Sequence, residues 1–183
     1  YQLDMRASVA EVVHAADEFA IHPVGGKIHY IVADAGGDRA IIEFIDGTAS
    51  VREASPQPLV CTNDTQQLSE LAFAALGAQP LKGNSSRVRY ARLRRDLDAT
   101  TTPASLDTVT TTLDSVRERG KPYRTQWSAI YELRKRRIHI RPDGAALAFT
   151  VDAATLDYAP ASGTAFLDLF GKRAASATFA PLT

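Results

Sequence analysis

The sequence is poor in the residues from which most catalytic and metal sites are built. Its 183 residues include one cysteine, Cys61, and four histidines: His14, His22, His29 and His139. One cysteine cannot form an intrachain disulfide, and the histidines show no metal-ligand spacing, so no zinc site is predicted. The 21 basic and 21 acidic side chains cancel. This balance argues against a nucleic acid or an anionic membrane as the main partner.

Long apolar runs are also missing. No run approaches about 18 apolar residues, so no membrane span is predicted, and the first residues do not form a charged-then-apolar signal segment. The chain begins at Tyr1 instead of methionine, from which we expect a mature, processed or cut chain. With 45% apolar and 23% charged residues the composition is globular, and the length predicts a single domain over residues 1–183.

The first part of the chain predicts a helix followed by strands. Ser8 and Glu11 have the spacing of a capping box, which predicts a helix over 8–19. The strands that follow are joined by turns too short to hold crossover helices, so we expect an antiparallel meander. Its strands are predicted at 27–34, 39–45, 49–53 and 59–62.

Three helices and a second group of strands are predicted after residue 63. The helices are predicted over 64–77, 85–97 and 105–120, and the first has an apolar face made of Leu68, Leu71, Ala72, Ala75 and Leu76. Strands are predicted at 126–133, 137–141 and 146–151, and a weak helix over 166–173. Strands, helices and strands again, without β-α-β alternation, predict an α+β fold.

Two residues at the end of the fourth predicted strand have candidate chemistry. Cys61 follows the apolar pair Leu59 and Val60 and has no histidine near it in sequence, so we expect a buried core thiol instead of a nucleophile. Asn63 lies between a strand and a helix, where its amide NH2 could donate to an oxyanion. The alternative is that an asparagine at such a junction only caps the helix.

Five arginines lie within nine residues, at Arg87, Arg89, Arg92, Arg94 and Arg95. Binding of a nucleic acid would require aromatic stacking partners, and only Tyr90 is interleaved among these cations. We therefore expect no nucleic-acid partner, and predict that the arginines form a solvated face paired with Asp96, Asp98 or Glu118.

Several segments together resemble one family, the linear amide hydrolases of the choloylglycine hydrolase and penicillin V acylase type. The segments 26–34, 40–44 and 60–64 resemble its central strands in order and spacing. The segment 84–89 (Asn-Ser-Ser-Arg-Val-Arg) is similar to the family's Ser-Ser-x-Ser-Arg-Phe-x-Arg segment, and 125–133 is similar to its late strand with Trp-Ser and Tyr-Asp-Leu. The order of these segments over residues 8–142 carries the resemblance.

The resemblance implies an N-terminal-nucleophile hydrolase: an α+β fold with a four-layer αββα sandwich of antiparallel sheets. It implies hydrolysis of a linear carbon–nitrogen amide bond in a small molecule such as an N-acyl amine, a penicillin V-like compound or a conjugated bile acid. The nucleophile would be an N-terminal cysteine whose own α-amino group is the base, and no cofactor is expected. By position, Asn63 would be an oxyanion-hole donor, and Arg87 would fix the nucleophile region electrostatically.

The family's nucleophile segment is not recognisable in residues 1–23. The resemblance therefore implies that this chain corresponds to the C-terminal portion of such an enzyme, and that another segment or chain carries the cysteine. Only 23 residues separate Asn63 from Arg87, too few for the long hairpin with which bile salt hydrolases form tetramers, so a homo-oligomer stays open. Relatives with short hairpins are often exported, which favours export over the cytoplasm. The alternative is a non-catalytic α+β binding or structural module.

Overall fold

The computed structural model describes residues 5–18, 28–53, 58–100, 104–120, 122–143 and 148–159, and the backbone of the pairs 165–166 and 180–181. The chain divides into two compact units, residues 1–104 and 105–183. The single domain predicted from the length stays a prediction.

The first unit begins with a short helix packed on a three-stranded sheet. Helix α1 (Val9–His14) is followed by a 3-10 turn (Ala16–Glu18). The predicted cap is confirmed, because the Ser8 side chain accepts from the Glu11 N–H. Strands β1 (His29–Ala33), β2 (Arg39–Ile45) and β3 (Thr48–Glu53) pair antiparallel in that order, as predicted. The two-residue turn between β2 and β3 is Asp46 and Gly47, both with positive φ.

Strand β2 is covered on both faces. Ile42 forms a buried cluster with Val12 and Ala16 of the helical segment. Glu43, next along the strand and therefore on the opposite face, is also buried and bonds the backbone of Gln66. The carboxylate of a central strand thus lies where the chain turns into the next helix.

The predicted strand at 59–62 is wrong, because residues 58–65 contain no strand. The Val60 carbonyl accepts from the side-chain amide of Gln66 at 2.7 Å instead of from a neighbouring strand. A side chain six residues ahead therefore provides the hydrogen bond that a neighbouring strand was expected to provide.

Two helices follow, the first beginning two residues after its predicted start at 64 and the second one residue after its predicted start at 85. Helix α2 (Gln66–Leu76) is capped by Thr65 and ends at Gly77, whose φ is 49°. Helix α3 (Ser86–Asp98) is capped by Ser85. Their apolar contact includes Phe73 and Tyr90, whose rings meet edge-on with centroids 6.2 Å apart.

The apolar face predicted for α2 is not the face that is buried. Gln66 and Ser69 are 3% and 0% exposed, whereas Leu68 and Leu71 are 41% and 61% exposed. Hydrogen bonds explain the inversion, since Gln66 bonds Glu43 and Val60 and its helix must turn this polar side inward.

The second unit contains one helix and a three-stranded antiparallel sheet. Helix α4 (Leu106–Ser115) begins after the Ser105 cap as predicted, but it ends before Gly120 because the backbone turns at Val116. Strands β4 (Trp127–Glu132), β5 (Arg137–Pro142) and β6 (Phe149–Asp152) confirm the three strands predicted here and pair antiparallel in sequence order. The backbones of β7 (Ala165–Phe166) and β8 (Ala180–Pro181) pair as well, and the rest of the predicted helix 166–173 lies outside the described residues.

None of the helices in the described ranges has the length and apolar character needed to cross a membrane.

Asp34, at the end of β1, joins the sheet to α1. Its carboxylate accepts the Val9 N–H at 3.1 Å and the N–H groups of Gly37 and Asp38 at 3.0 and 3.1 Å. These backbone donors, Val9 first, hold the pKa of the Asp34 carboxyl below its ordinary value. The ionised carboxylate therefore stabilises both the turn and the first helix.

We predict that Asp34→Asn lowers stability at neutral pH. Because the folded pKa of Asp34 is depressed, its contribution is present above the unfolded pKa and is lost as the pH falls through the folded value. Urea unfolding should show a deficit for the variant near pH 7 that shrinks as the medium becomes strongly acidic. Asp38→Asn, in the same turn, is the matched control and should unfold like the wild type; a deficit independent of pH would contradict the account.

Candidate active site

The candidate site lies where the segment 61–65 meets the beginning of α3. Ser86 joins the two, because its hydroxyl accepts the Asp64 N–H at 2.9 Å and donates to Thr62 Oγ1 at 3.1 Å. The segment that carries Asn63 is therefore fixed against the first turn of the helix that carries Arg87.

The Asn63 side chain is oriented by an arginine. Its Oδ1 accepts a hydrogen bond from Arg89 Nη2, and arginine has donors only, so the oxygen of the amide must face the guanidinium. Within the part of the chain that the structure describes, the Asn63 NH2 has no partner. The exposed Asn63 thus presents an unengaged pair of N–H donors on the side away from Arg89.

Arg87 lies beside the residue that follows Asn63. Its Nε is 3.4 Å from Asp64 Oδ2, and its side chain is 54% exposed. An ion pair this exposed adds little stability. The two residues predicted from the resemblance therefore lie at one junction, and their catalytic roles stay predictions.

The predicted solvated face is wrong for four of the five arginines, because Arg89, Arg92, Arg94 and Arg95 are partly buried. Arg94 pairs with Asp98, one of the predicted acids. Three others donate to loop carbonyls: Arg89 to Asn84, Arg92 to Gly83, and Arg95 to Gly77 and Gln79. Carbonyls at the ends of loops need donors, and the five N–H groups of a guanidinium supply several in a fixed geometry. The arginines on α3 hold loops in place.

Behind Asn63 lies a buried polar cluster of His29, Glu43 and Gln66. The Gln66 N–H lies 3.0 and 3.2 Å from the two Glu43 carboxylate oxygens. His29 Nδ1 is 2.7 Å from Glu43 Oε1, and its Nε2 is 3.3 Å from the main-chain oxygen of Asn63. The cluster satisfies a buried carboxylate and reaches the candidate donor at the same time.

Cys61 has the environment of a structural thiol. The thiol is half-buried, less than the core position predicted from the sequence, and this burial raises its pKa. A side-chain hydrogen bond with Gln66 opposes the rise, and the nearby Glu43 carboxylate adds a smaller one. A thiol with a raised pKa carries little thiolate at neutral pH, so this one is a poor nucleophile. No group of three His, Cys, Asp or Glu side chains in the described ranges is arranged to hold a metal ion.

Sequence reasoning missed three residues of this site. Arg89 lies among the other cations in sequence, but its spacing of two from Arg87 puts it on another side of the helix. His29 and Glu43 alternate with apolar residues in neighbouring strands, and their pairing becomes visible only with the register that places them opposite each other. The available signal for this pair in the sequence is Glu43, a polar residue at a strand position between apolar neighbours.

We predict that Cys61 reacts slowly with a thiol reagent in the native protein. Its raised pKa leaves less thiolate at neutral pH than an ordinary cysteine has. Alkylation followed against pH should be several times faster in urea, which exposes the same thiol as the control. If the alkylation rate rose with a lower midpoint pH in the native protein than in urea, the raised pKa of Cys61 would be contradicted.

Comparisons with known proteins agree with the fold. The family model described as acyl-coenzyme A:6-aminopenicillanic acid acyl-transferase matches residues 2–146. Penicillin V acylase from Agrobacterium tumefaciens superposes with a TM-score of 0.71 at 24% identity, over 86% of this chain and 55% of that one. A mutant of conjugated bile acid hydrolase from Clostridium perfringens gives 0.68 at 14% identity, over 84% and 60%. No curated protein sequence matches the chain.

The chain spans 55% to 60% of the length of these solved structures. The structural matches confirm the predicted α+β fold of antiparallel sheets and helices, in the part that the chain covers. The family model covers most of the chain, and the resemblance to penicillin V acylases and bile salt hydrolases is confirmed at the level of the family. The chain belongs to the acyl-coenzyme A:6-aminopenicillanic acid acyl-transferase family.

Proposed function

We propose that the protein hydrolyses a linear amide bond, with a cysteine nucleophile carried outside residues 1–183 and an oxyanion donor, Asn63, carried by this chain. The substrate class is an N-acyl amine, such as a penicillin V-like compound or a conjugated bile acid. Penicillin V acylase and conjugated bile acid hydrolase, which share the fold, support this class.

One observation supports the proposal most strongly: the Asn63 amide oxygen is held by Arg89 while the amide NH2 has no partner among the described residues. A helix-capping asparagine would use its side-chain oxygen on helix N–H groups. Here Thr65 caps α2, and Asn63 does not. A fixed, unengaged donor is what stabilisation of a developing oxyanion requires, because it needs no reorganisation during the reaction.

The proposed reaction passes through an acyl-enzyme. The α-amino group of the N-terminal cysteine takes the thiol proton, and the sulfur bonds to the amide carbonyl carbon. The carbonyl electrons move to oxygen, which accepts hydrogen bonds from the Asn63 NH2. When the intermediate collapses, the amine leaves with the proton from the α-ammonium group. Water then cleaves the thioester, releasing the carboxylic acid and restoring the thiol.

Arg87 is proposed to hold the nucleophile segment. Its Nε faces Asp64, and its Nη groups have no partner among the described residues. A half-exposed guanidinium with free donors can bind carbonyl or carboxylate oxygens of a docking segment in fixed geometry, which a lysine could not do.

The proposal is tested on native protein by intact mass, N-terminal sequencing and an amidase assay. We expect a polypeptide segment that begins with cysteine, and hydrolysis of phenoxymethylpenicillin or a glycine-conjugated bile acid that iodoacetamide abolishes. Labelling confined to Cys61, without amidase activity, would favour the non-catalytic module. Transfer of the acyl group to an added amine in preference to water would favour an acyltransferase, the activity named in the family description.

We predict that Asn63→Ala lowers kcat about 100- to 1000-fold, the usual loss for one oxyanion donor, with little change in KM. Steady-state kinetics on the active protein measure both. Asn84→Ala is the matched control, because Asn84 also accepts from an arginine of α3, Arg92, at 3.2 Å but is not part of the proposed site. Equal losses in the two variants would contradict the role of Asn63.

We predict that Arg87→Ala lowers kcat/KM about 10- to 100-fold, the equivalent of a lost charge-assisted hydrogen bond. Its stability should stay within about 0.5 kcal/mol of the wild type, since its ion pair is exposed. Arg95→Ala on the same helix should lose stability and keep its kcat/KM, because Arg95 donates hydrogen bonds to two loop carbonyls. Kinetics and urea unfolding of both variants distinguish the roles, and an Arg87→Ala protein with unchanged kinetics would exclude this one.

A further inference from the structure

His29 bridges a buried carboxylate and the main chain of the candidate oxyanion donor. It lies on β1 directly opposite Glu43 of β2 in the sheet register. Its Nδ1 is 2.7 Å from Glu43 Oε1, and its Nε2 is 3.3 Å from the Asn63 carbonyl oxygen. The side chains of His29 and Glu43 are 10% and 7% exposed, so water competes little for the bond between them. The contact with the Asn63 carbonyl lies at the exposed end of the ring.

The two neighbours decide where the protons of the ring lie. A carbonyl oxygen only accepts, so the bond to Asn63 requires a proton on Nε2. A second proton must then lie between Nδ1 and Glu43 Oε1, on whichever of the two atoms holds it. The remaining tautomer, protonated on Nδ1 alone, would set a bare Nε2 lone pair against the carbonyl oxygen. A hydrogen bond from His29 to the Asn63 carbonyl therefore requires a proton on Nε2.

Glu43, which His29 contacts, is itself held in place by other hydrogen bonds. Its two carboxylate oxygens also face the N–H of Gln66, the first residue of α2, and the Gln66 side chain bonds the Val60 carbonyl at 2.7 Å. The segment 60–63 is therefore held at Val60 by Gln66 and contacted at Asn63 by His29. Among the described residues, Cys61 interacts electrostatically with Glu43, Arg89 bonds Asn63 Oδ1, and Arg87 pairs with Asp64, which follows Asn63.

We propose that His29 is a positioning residue, which holds the Asn63 backbone so that the side-chain NH2 faces the oxyanion. Arg89 fixes the oxygen end of the same amide. His29 fixes the main chain from which the side chain projects. This inference rests on the proposed function, since it gives His29 a role in the same oxyanion site.

Two substitutions test the two hydrogen bonds of the His29 ring one at a time. The side-chain amide of asparagine can occupy the place of Nδ1, and that of glutamine the place of Nε2. His29→Asn therefore keeps a donor toward Glu43 and loses the bond to Asn63, whereas His29→Gln keeps the bond to Asn63. His139 is the matched control, because it also pairs with a glutamate, Glu132, at 2.8 Å but lies in the second unit.

The first test is NMR on the full protein labelled with nitrogen-15 at histidine and asparagine. We expect a protonated Nε2 in His29 at neutral pH. We also expect the Asn63 side-chain NH2 resonances to move in His29→Asn and to stay in place in His29→Gln and His139→Asn. A bare Nε2, or equal movement in both His29 variants, would overturn the proposal.

The second test is kinetic. His29→Asn should lower kcat about 10- to 100-fold with little change in KM, the expected cost of a donor displaced by about 1 Å. His29→Gln should recover most of this loss, and His139→Asn should match the wild type. Equal losses in the two His29 variants would indicate a merely structural role and overturn the proposal. If the wild type has no amidase activity, the proposed function fails, and the NMR test still decides whether His29 holds Asn63.

Discussion

The arrangement of the first unit depends on one buried carboxylate. Glu43 is 5% exposed on the central strand, where an ionised group is tolerated only if its oxygens are hydrogen-bonded. Gln66 and His29 supply those bonds from the start of a helix and from the neighbouring strand. Removing one partner of such a buried group costs about 3–5 kcal/mol. The positions of α2, β1 and the segment with Asn63 are thus set together.

A second set of constraints comes from α3, whose arginines hold loops in place. Arg89, Arg92 and Arg95 reach carbonyls between residues 77 and 84, and Arg94 reaches the Pro58 carbonyl at 3.0 Å. The same helix supplies Ser86, which fixes Asp64. Asn63 is consequently fixed between the sheet, through His29, and the helix, through Arg89. A catalytic donor gains from such rigid support on both sides, because its orientation is set before substrate binds.

The parts of this fold that depend on neighbours in sequence could be predicted. The helix caps Ser8, Ser85 and Ser105 each bond a backbone N–H three residues ahead, a contact that residue spacing reveals. The site depends on distant partners instead: Glu43 and Gln66 are 23 residues apart, and His29 and Asn63 are 34 apart. Gln66 also explains two departures from the sequence pattern: its side-chain bond to the Val60 carbonyl, six residues away, at 59–62, and its distant bond to Glu43 on the face of α2. The position of Asn63 before a helix already indicates a candidate donor, the family resemblance adds Arg87, and Arg89 is identified only by the structure.

A crystal structure of the active protein with an aldehyde inhibitor tests the central claim most directly. The cysteine sulfur adds to the aldehyde to give a hemithioacetal, whose oxygen occupies the position of the oxyanion. The account predicts this oxygen at about 2.7–3.1 Å from Asn63 Nδ2, with Oδ1 still bound to Arg89. An oxyanion held by other donors, with the Asn63 amide directed away from it, would contradict the account.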